Sequence, residues 1–424
     1  MSSTPRSNWL RRPPTSPMHH KVLRECLAVQ GTFAGSATCR RIGELERLTH
    51  WEPVISAVTS QRSRFGFWQS GSITVPAVFT VTGTAQKEAW DRNVLPPVEK
   101  VRPGMWSIPV PIPNNPLRYV SVYVMELDNG VALVDAGWPT DDAWDALNAG
   151  LAQTGGSIGD VRAVVVTHLH PDHYGLAGRV REASGAWVGL HPADAKLLEA
   201  RYHDTDGLVD EMRELFTLSG VPADKLPDLA FASMEIKATL SVAQPDLLIE
   251  DDQVLELPGW DFKAVWTPGH SPGHICLYSD HHKLLLSGDH VLPRITPNIS
   301  FHSQQFANPL GAYLESLAKV RALHPDEVFP AHEYRFSGLD DRVDALIAHH
   351  GDRLAEIEGV LEKSPGISCW DITLALSWSR PFEDLPDYMQ RAANGETLAH
   401  LVLLEQRGRV TREPAVPIRF YLSE

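Results

Sequence analysis

From about Pro96 onward the chain falls into short apolar runs separated by turn residues, whereas the first 80 residues show no sustained period of 2 or 3.6. "MWSIPVPIP", "RYVSVYVMEL" and "VALVDAG" are predicted strands, and the Asp-Asn-Gly at 128–130 between two of them predicts a hairpin. "DDAWDALNAGLAQTG" has helical spacing and should end at Gly155; "VRAVVVT" reads as a buried strand. "HYGLAGRVREASG" is a second predicted helix closed by Gly185, "AWVGLH" is a strand, and residues 193–248 are mostly helical in pattern. Strands return at "QVLEL", "FKAVWT", "HICLYS" and "HKLLLSG". This alternation predicts an α/β fold with helices packed outside sheets.

After about Gly338 the pattern turns helical. "LDDRVDALIAHHGDRLAEIEGVLEK" places Val343, Leu346, Ile347, Leu354, Ile357 and Leu361 near one face. A last helix, "ETLAHLVLLEQRG", stops at Gly408 before the strand-like "RVTRE". The organisation expected is an extension at 1–80, a linker at 81–100, a main domain at 101–338 and a small helical domain at 339–424.

Length and charge narrow the function. Hydrophobic residues make up 43% of 424, enough for a large core, and no run approaches the roughly 18 apolar residues of a membrane helix. The formal charge is -15, yet residues 1–80 hold ten Lys/Arg against four Glu, or +6, which leaves -21 on the remaining 344. An acidic body repels polyanions, so a small-molecule substrate is expected rather than nucleic acid or a membrane. Four scattered cysteines without a CxxC pair suit a reducing, cytoplasmic compartment. Residues 22–39 imitate a signal peptide only faintly, because Glu25 and Gln30 interrupt the apolar part. The basic, Pro/Ser/Arg-rich start is expected to be mostly disordered and outside the functional enzyme, with Val81 as an alternative start; the rival reading is a targeting or partner-binding arm.

The candidate chemistry begins at "THLHPDHYG", residues 167–175. A strand ending in His-Leu-His sends His168 and His170 to the same side, while Asp172 and His173 enter from the start of the next helix. Two ligands from each direction can serve two metals. His270 follows the strand "FKAVWT", Asp289 follows "HKLLL", and His332 follows a third apolar run in "VFPAHE". Each candidate ligand thus sits just beyond a buried strand, where a rigid scaffold presents groups at one rim. Histidine and carboxylate donors suit zinc, and also iron or manganese.

The ordered series THLHPDH, TPGHSPGH, LSGDH and AHE resembles the metallo-β-lactamase superfamily, in its glyoxalase II-like branch, over about Val98 to Tyr334. The resemblance implies an αββα sandwich with the metals at one edge of the two sheets. It assigns His168, His170 and His270 to a first metal and Asp172, His173 and His332 to a second, with Asp289 bridging. Asp135 of "VALVDAG" would support the site from behind the ligands. Zinc-bound water has a pKa near about 7, so a bridging hydroxide would serve as nucleophile, with Asp172 as ligand and proton acceptor. His274 and His290 lie beside ligands, and Arg294, Tyr174 and His302 fall where the fold places substrate contacts. The pairs His19/His20, His281/His282 and His349/His350 read as solvated surface.

Departures shape the expected reaction. The commonest class B β-lactamases have cysteine where Asp289 stands, and the basic residues with which glyoxalase II holds glutathione find no match from Arg342 onward. The family's "PGHG" here reads "PAHE". The 339–424 piece resembles the winged-helix-like domain of some members; with few basic groups on its last helix, it reads as a lid or homodimer element. The expected activity is dinuclear hydrolysis of a small ester, thioester or lactone. A metal-dependent nuclease or phosphodiesterase is the alternative, and an iron-dependent persulfide dioxygenase needs fewer ligands than the chain retains. A dead scaffold normally loses ligands, and none is lost.

Overall fold

The computed structural model describes residues 79–203, 205–231 and 241–424. In chain order, β1 (Thr80–Val81), α1 (Thr84–Asp91), β2 (Glu99–Arg102), β3 (Met105–Pro111), β4 (Tyr119–Leu127) and β5 (Gly130–Val134) precede α2 (Asp141–Thr154) and β6 (Val161–Val165). Short helices α3 (Pro171–Tyr174) and α4 (Ala177–Ser184) lead to β7 (Trp187–Leu190). Next come α5 (Pro192–Ala195), α6 (Leu198–Tyr202), α7 (Thr205–Ser219), α8 (Leu226–Phe231) and β8 (Leu247–Leu248). Then follow β9 (Lys263–Trp266), β10 (Ile275–Ser279), β11 (Leu284–Gly288), α9 (Pro309–Arg321), β12 (Glu327–Pro330) and β13 (Phe336–Ser337). The chain closes with α10 (Leu339–Lys363), α11 (Cys369–Ala375), α12 (Asp387–Gln406) and the ribbon β14 (Val410–Glu413) and β15 (Arg419–Leu422).

Two sheets face each other, ordered β2-β3-β4-β5-β6-β7-β8 and β1-β13-β12-β11-β10-β9. The period of two decides what each face does. On β4, Tyr123 and Met125 join Ala132, Val134 and Val165 in packing against Phe262, Ile275, Leu277, Leu286 and Phe329 of the second sheet. Val120, Val122 and Val124 point the other way, into a layer with Ala143, Leu147 and Leu151 of α2 and Val180 of α4. On β10, Ile275 and Leu277 face the first sheet, and Tyr278 points outward to donate to Leu323 O just after α9. The layers are αββα, as the resemblance implied.

Capping explains the helix ends. The Thr140 side chain accepts from Ala143 N at the start of α2, and Gly155 closes it at φ 90°, a left-handed conformation that costs glycine nothing. Asp128 and Asn129 turn the hairpin, with Leu127 opposite Gly130.

Several expectations need correction. "QVLEL" forms only an isolated bridge, Val254 to Lys263, and Val254 is 63% exposed. Leu255 and Leu257 still enter the core, with Leu255 N on Phe262 O beside that bridge and Leu257 N on Leu255 O in a local turn. The alternating pattern reported burial, not a ladder. The stretch read as a linker carries α1, whose Trp90 packs edge-on against Tyr119, and the start of β2. Thr80 and Val81 pair with Ser337 and Phe336, so the second sheet begins upstream of the proposed Val81 boundary. The helix read from 173 to 185 is broken between α3 and α4. The remaining expectations about the extension, including His19/His20, fall outside the described residues.

At the C-terminal end, Ile347 is 39% exposed, and the inner face of α10 instead includes Arg342, His350 and Arg353. His350 is buried against His400, with His350 Nδ1 3.1 Å from His400 Nε2, rather than solvated. The last helix starts nine residues earlier than read, at Asp387. The expected C-terminal helical domain is present, and it packs closely on the body. Trp370, Phe382, Leu385 and Ala393 share a core with Phe216, Val221 and Leu229, and Arg342 donates to Leu292 O and Ile295 O. No described helix is long and apolar enough to cross a membrane.

Candidate metal centre

The loops beyond β5, β6, β9, β11 and β12 meet at one edge of the sandwich. Just past β6, the Thr167 amide donates to Asp135 Oδ1 at 2.7 Å and its hydroxyl to Oδ2 at 3.0 Å. Asp135 follows β5 at φ 63°, a left-handed conformation aspartate tolerates better than most residues. Its Oδ2 also takes His173 Nδ1 at 2.7 Å, which fixes the ring and leaves Nε2 for the site. Two other histidines are oriented by backbone carbonyls. His270 Nδ1 donates to Asn298 O at 2.9 Å, and His332 Nδ1 to Tyr119 O at 2.8 Å.

What these rings present is a convergence of donors. Nε2 of His173, His270 and His332 and Oδ1 of Asp289 are buried without a hydrogen-bond partner among the described residues. Leaving such atoms unsatisfied costs roughly 1–3 kcal/mol each, a cost a bound cation removes. His168, His170 and His270 gather their ligand atoms within 4.8 Å, as do Asp172, His173 and His332, and a third set, His168, His173 and Asp289, overlaps both. Asp289 faces two ways: Oδ1 lies 3.2 Å from His332 Nε2 and 3.5 Å from His173 Nε2, while Oδ2 lies 3.5 Å from His270 Nε2. These donor sets fit divalent metal, and Asp289 faces the histidines of both.

Electrostatics agree with that fit. Burial would raise the carboxyls of Asp172 and Asp289, but the His173 and His332 imidazoles outweigh it and hold both well below the carboxylate range. Burial opposes charge on His173 and His332, yet the surrounding carboxylates raise His173 well above the imidazole range and push His332 up to about 10, so each holds a proton that a bound cation would displace. Burial and the neighbouring imidazoles keep His168 and His170 neutral, the form that ligates.

The structure places the remaining candidates unevenly. His274 is a brace rather than a donor to the site: its Nε2 accepts from Asp289 N at 3.1 Å and its Nδ1 lies 2.8 Å from Thr267 Oγ1. Gly288 at φ 50° permits this approach, since a Cβ there would fall 2.7 Å from His274 Nε2. His290 is buried, its ring 5.1 Å from that of Tyr313. Tyr174 is turned into the core, stacked on Tyr202 with its hydroxyl on Ala243 O, and does not reach the rim. Arg294 gives its amide to Glu333 Oε2 at 3.0 Å and holds Nε 3.8 Å from Oε1. His302 accepts from Gln304 N at 3.2 Å, in the loop that also supplies Asn298 O to His270.

Two buried acids were missed. Asp194 accepts from Leu169 N at 2.9 Å, Ser271 Oγ at 2.8 Å and Gly273 N at 2.6 Å, stapling the His168/His170 loop to the His270 loop. Its signal was available, because "HPAD" follows β7 as the ligands follow other strands. Glu333, fully buried at φ 69°, occupies the altered turn of "PAHE".

The model of the family described as the metallo-beta-lactamase superfamily matches residues 115–332, the span that holds every one of these donors. The chain belongs to the metallo-β-lactamase superfamily. Among its relatives, "Probable metallo-hydrolase YqjP" of Bacillus subtilis is 25% identical over 69% of this chain and 89% of its own. A metallo-beta-lactamase family protein from Thermus thermophilus is 29% identical, with a TM-score of 0.66 over 76% of this chain and 100% of its own. A beta-lactamase domain protein from Burkholderia ambifaria is 25% identical, with a TM-score of 0.68 over 81% of this chain and 98% of its own. The 81% of this chain so covered exceeds the family model's span, so the likeness extends past the central domain. The chain is a hydrolase of the metallo-β-lactamase fold.

Proposed function

We propose that the enzyme is a dinuclear hydrolase of a small ester, thioester or lactone. The observation that carries this reading is Asp289, whose two oxygens face different histidine sets. His168, His170 and His270 would hold one divalent cation and Asp172, His173 and His332 the other, most simply zinc. Such a pair supplies a hydroxide nucleophile at neutral pH and polarises the carbonyl under attack. The chain's own residues do the rest. Asp135, Asn298 O and Tyr119 O orient the rings, His274 and Asp194 fix the loops, and Asp172 stands ready to take the proton.

The acidic composition favours a small substrate over nucleic acid. Cys276 and Cys369 are buried free thiols, which suits a cytoplasmic location. Metal analysis of the purified protein, combined with a panel of thioesters, lactones and phosphodiesters, tests the proposal. About two metals per chain and turnover of esters or lactones are expected. Full activity with one metal, or cleavage confined to phosphodiesters, would overturn it.

A further inference from the structure

Where the family's "PGHG" ends in glycine, this chain has Glu333, directly after the candidate ligand His332. Its φ of 69° is a left-handed conformation that glycine adopts freely and glutamate does not. The side chain adds a second cost, since it is fully buried and its Oε1 has no hydrogen-bond partner among the described residues. Strain of this kind persists only where the surroundings over-determine it, and such positions cluster at functional sites.

What the carboxylate holds is a loop of the other half of the site. Glu333 Oε2 accepts from Arg294 N at 3.0 Å, and Oε1 faces Arg294 Nε at 3.8 Å. Arg294 lies on the segment that leaves Asp289 and runs to Asn298, whose carbonyl takes His270 Nδ1 at 2.9 Å. Arg342 of α10 grips the same segment on either side of Arg294, from Nε to Leu292 O at 2.6 Å and from Nη2 to Ile295 O at 2.7 Å. A guanidinium can bind only the carbonyls there, so the Arg294 amide needs an acceptor from elsewhere, and Glu333 supplies it. The other end of Glu333 is fixed to the first sheet by Tyr119, which donates its hydroxyl to Glu333 O and accepts from His332 Nδ1 at 2.8 Å. The residue therefore spans from the turn that carries His332 to the loop that orients His270, two donors that belong to different ligand sets.

We propose that Glu333 is a positioning residue that couples the two halves of the metal centre: from beside His332 it fixes the 294–298 segment and so aims His270 at the cation shared with His168 and His170. The proposal rests on the dinuclear reading for its two cations. Zinc-loaded full chains titrated with a chelator test it, with His270→Ala and His332→Ala as references that mark which zinc belongs to which set. Glu333→Gly removes the carboxylate and gives the backbone the residue its conformation favours. It should weaken the zinc marked by His270→Ala about tenfold or more, and weaken it more than the zinc marked by His332→Ala, its neighbour in sequence. Glu333→Gln keeps an oxygen for Arg294 N and should recover most of the loss. Glu333→Asn, tolerated in this conformation but too short to reach Arg294, serves if the Gly variant does not fold. Unchanged zinc affinity, a loss centred on the His332 zinc, equal loss of both, or a Gln variant no better than Gly would overturn the coupling. Two zincs per chain that are both indifferent to Glu333 count against the coupling alone. A single zinc counts against the dinuclear reading. The coupling is then decided on that zinc, which must depend on His270 and on Glu333 alike. A chain that takes no zinc fails both.

Discussion

Asp135 Oδ2 accepts a hydrogen bond from His173 Nδ1 at 2.7 Å, while the same carboxylate holds the amide and hydroxyl of Thr167. One side chain at the end of β5 thereby sets both the tautomer of His173 and the path of the loop that follows β6. Asp135→Asn keeps the shape but exchanges a charged acceptor for a neutral amide. Metal affinity should fall about 10- to 100-fold, read by competition with a chelator, as for other partners that orient metal-bound histidines. Unchanged affinity would show that the contact is dispensable.

Asp289→Ala should remove most of the bound metal together with activity, because no other carboxylate among the described residues faces both histidine sets. Elemental analysis and ester turnover on the same sample check this. Retention of two metals per chain would refute the bridging role.

Asp172→Asn should separate the two sets. Asp172 Oδ2 lies 3.3 Å from His332 Nε2, and Asp172 groups with His173 and His332 rather than with His168, His170 and His270. Turnover should drop by roughly 10²–10⁴-fold, the usual worth of a positioned proton acceptor, while one metal per chain remains. Wild-type turnover in this variant would sink the assignment.

Asp194 gives a pH signature. Burial raises its carboxyl to about 6, partly offset by its hydrogen bonds to Ser271, Leu169 and Gly273 and by the Arg201 charge. A carboxyl whose folded pKa lies above its unfolded value stabilises the fold most when protonated. That contribution is present below the unfolded value of about 3.9 and is lost as pH rises through about 6. Asp194→Asn lacks the titration, so the melting-temperature difference, wild type minus variant, should shrink between pH 4 and pH 7. A difference independent of pH would contradict the burial argument.

The contribution of β1 can be tested by truncation. Phe79 packs on Phe336 with ring centroids 4.9 Å apart, and Thr80 and Val81 add an edge strand to β13. A chain starting at Thr82 should be less stable than one starting at Phe79 by about 1.5–3 kcal/mol, the worth of one large apolar side chain. Equal melting of both would show that β1 contributes nothing.

The candidate metal donors were legible because local rules govern them. Each ligand follows a buried apolar run, strands alternate, and a turn after β6 separates His168 and His170 from Asp172 and His173, all of which neighbours in sequence suffice to specify. The hairpin at 128–130 and the ends of α2 and α4 at Gly155 and Gly185 are legible for the same reason. Where the reading failed, a distant partner decided the outcome. Leu255 and Leu257 fill the gap between sheets without joining a ladder, Arg342 and His350 face inward because backbone carbonyls and His400 wait there, and Tyr174 is claimed by Ala243 and Tyr202. Sequence by itself determined the family, the sheets and the candidate donors, since those follow from short-range pattern and covalent order. Tertiary structure alone decided which oxygen of Asp289 meets which histidine and which buried charges become neighbours, because a contact across the fold depends on how both elements pack.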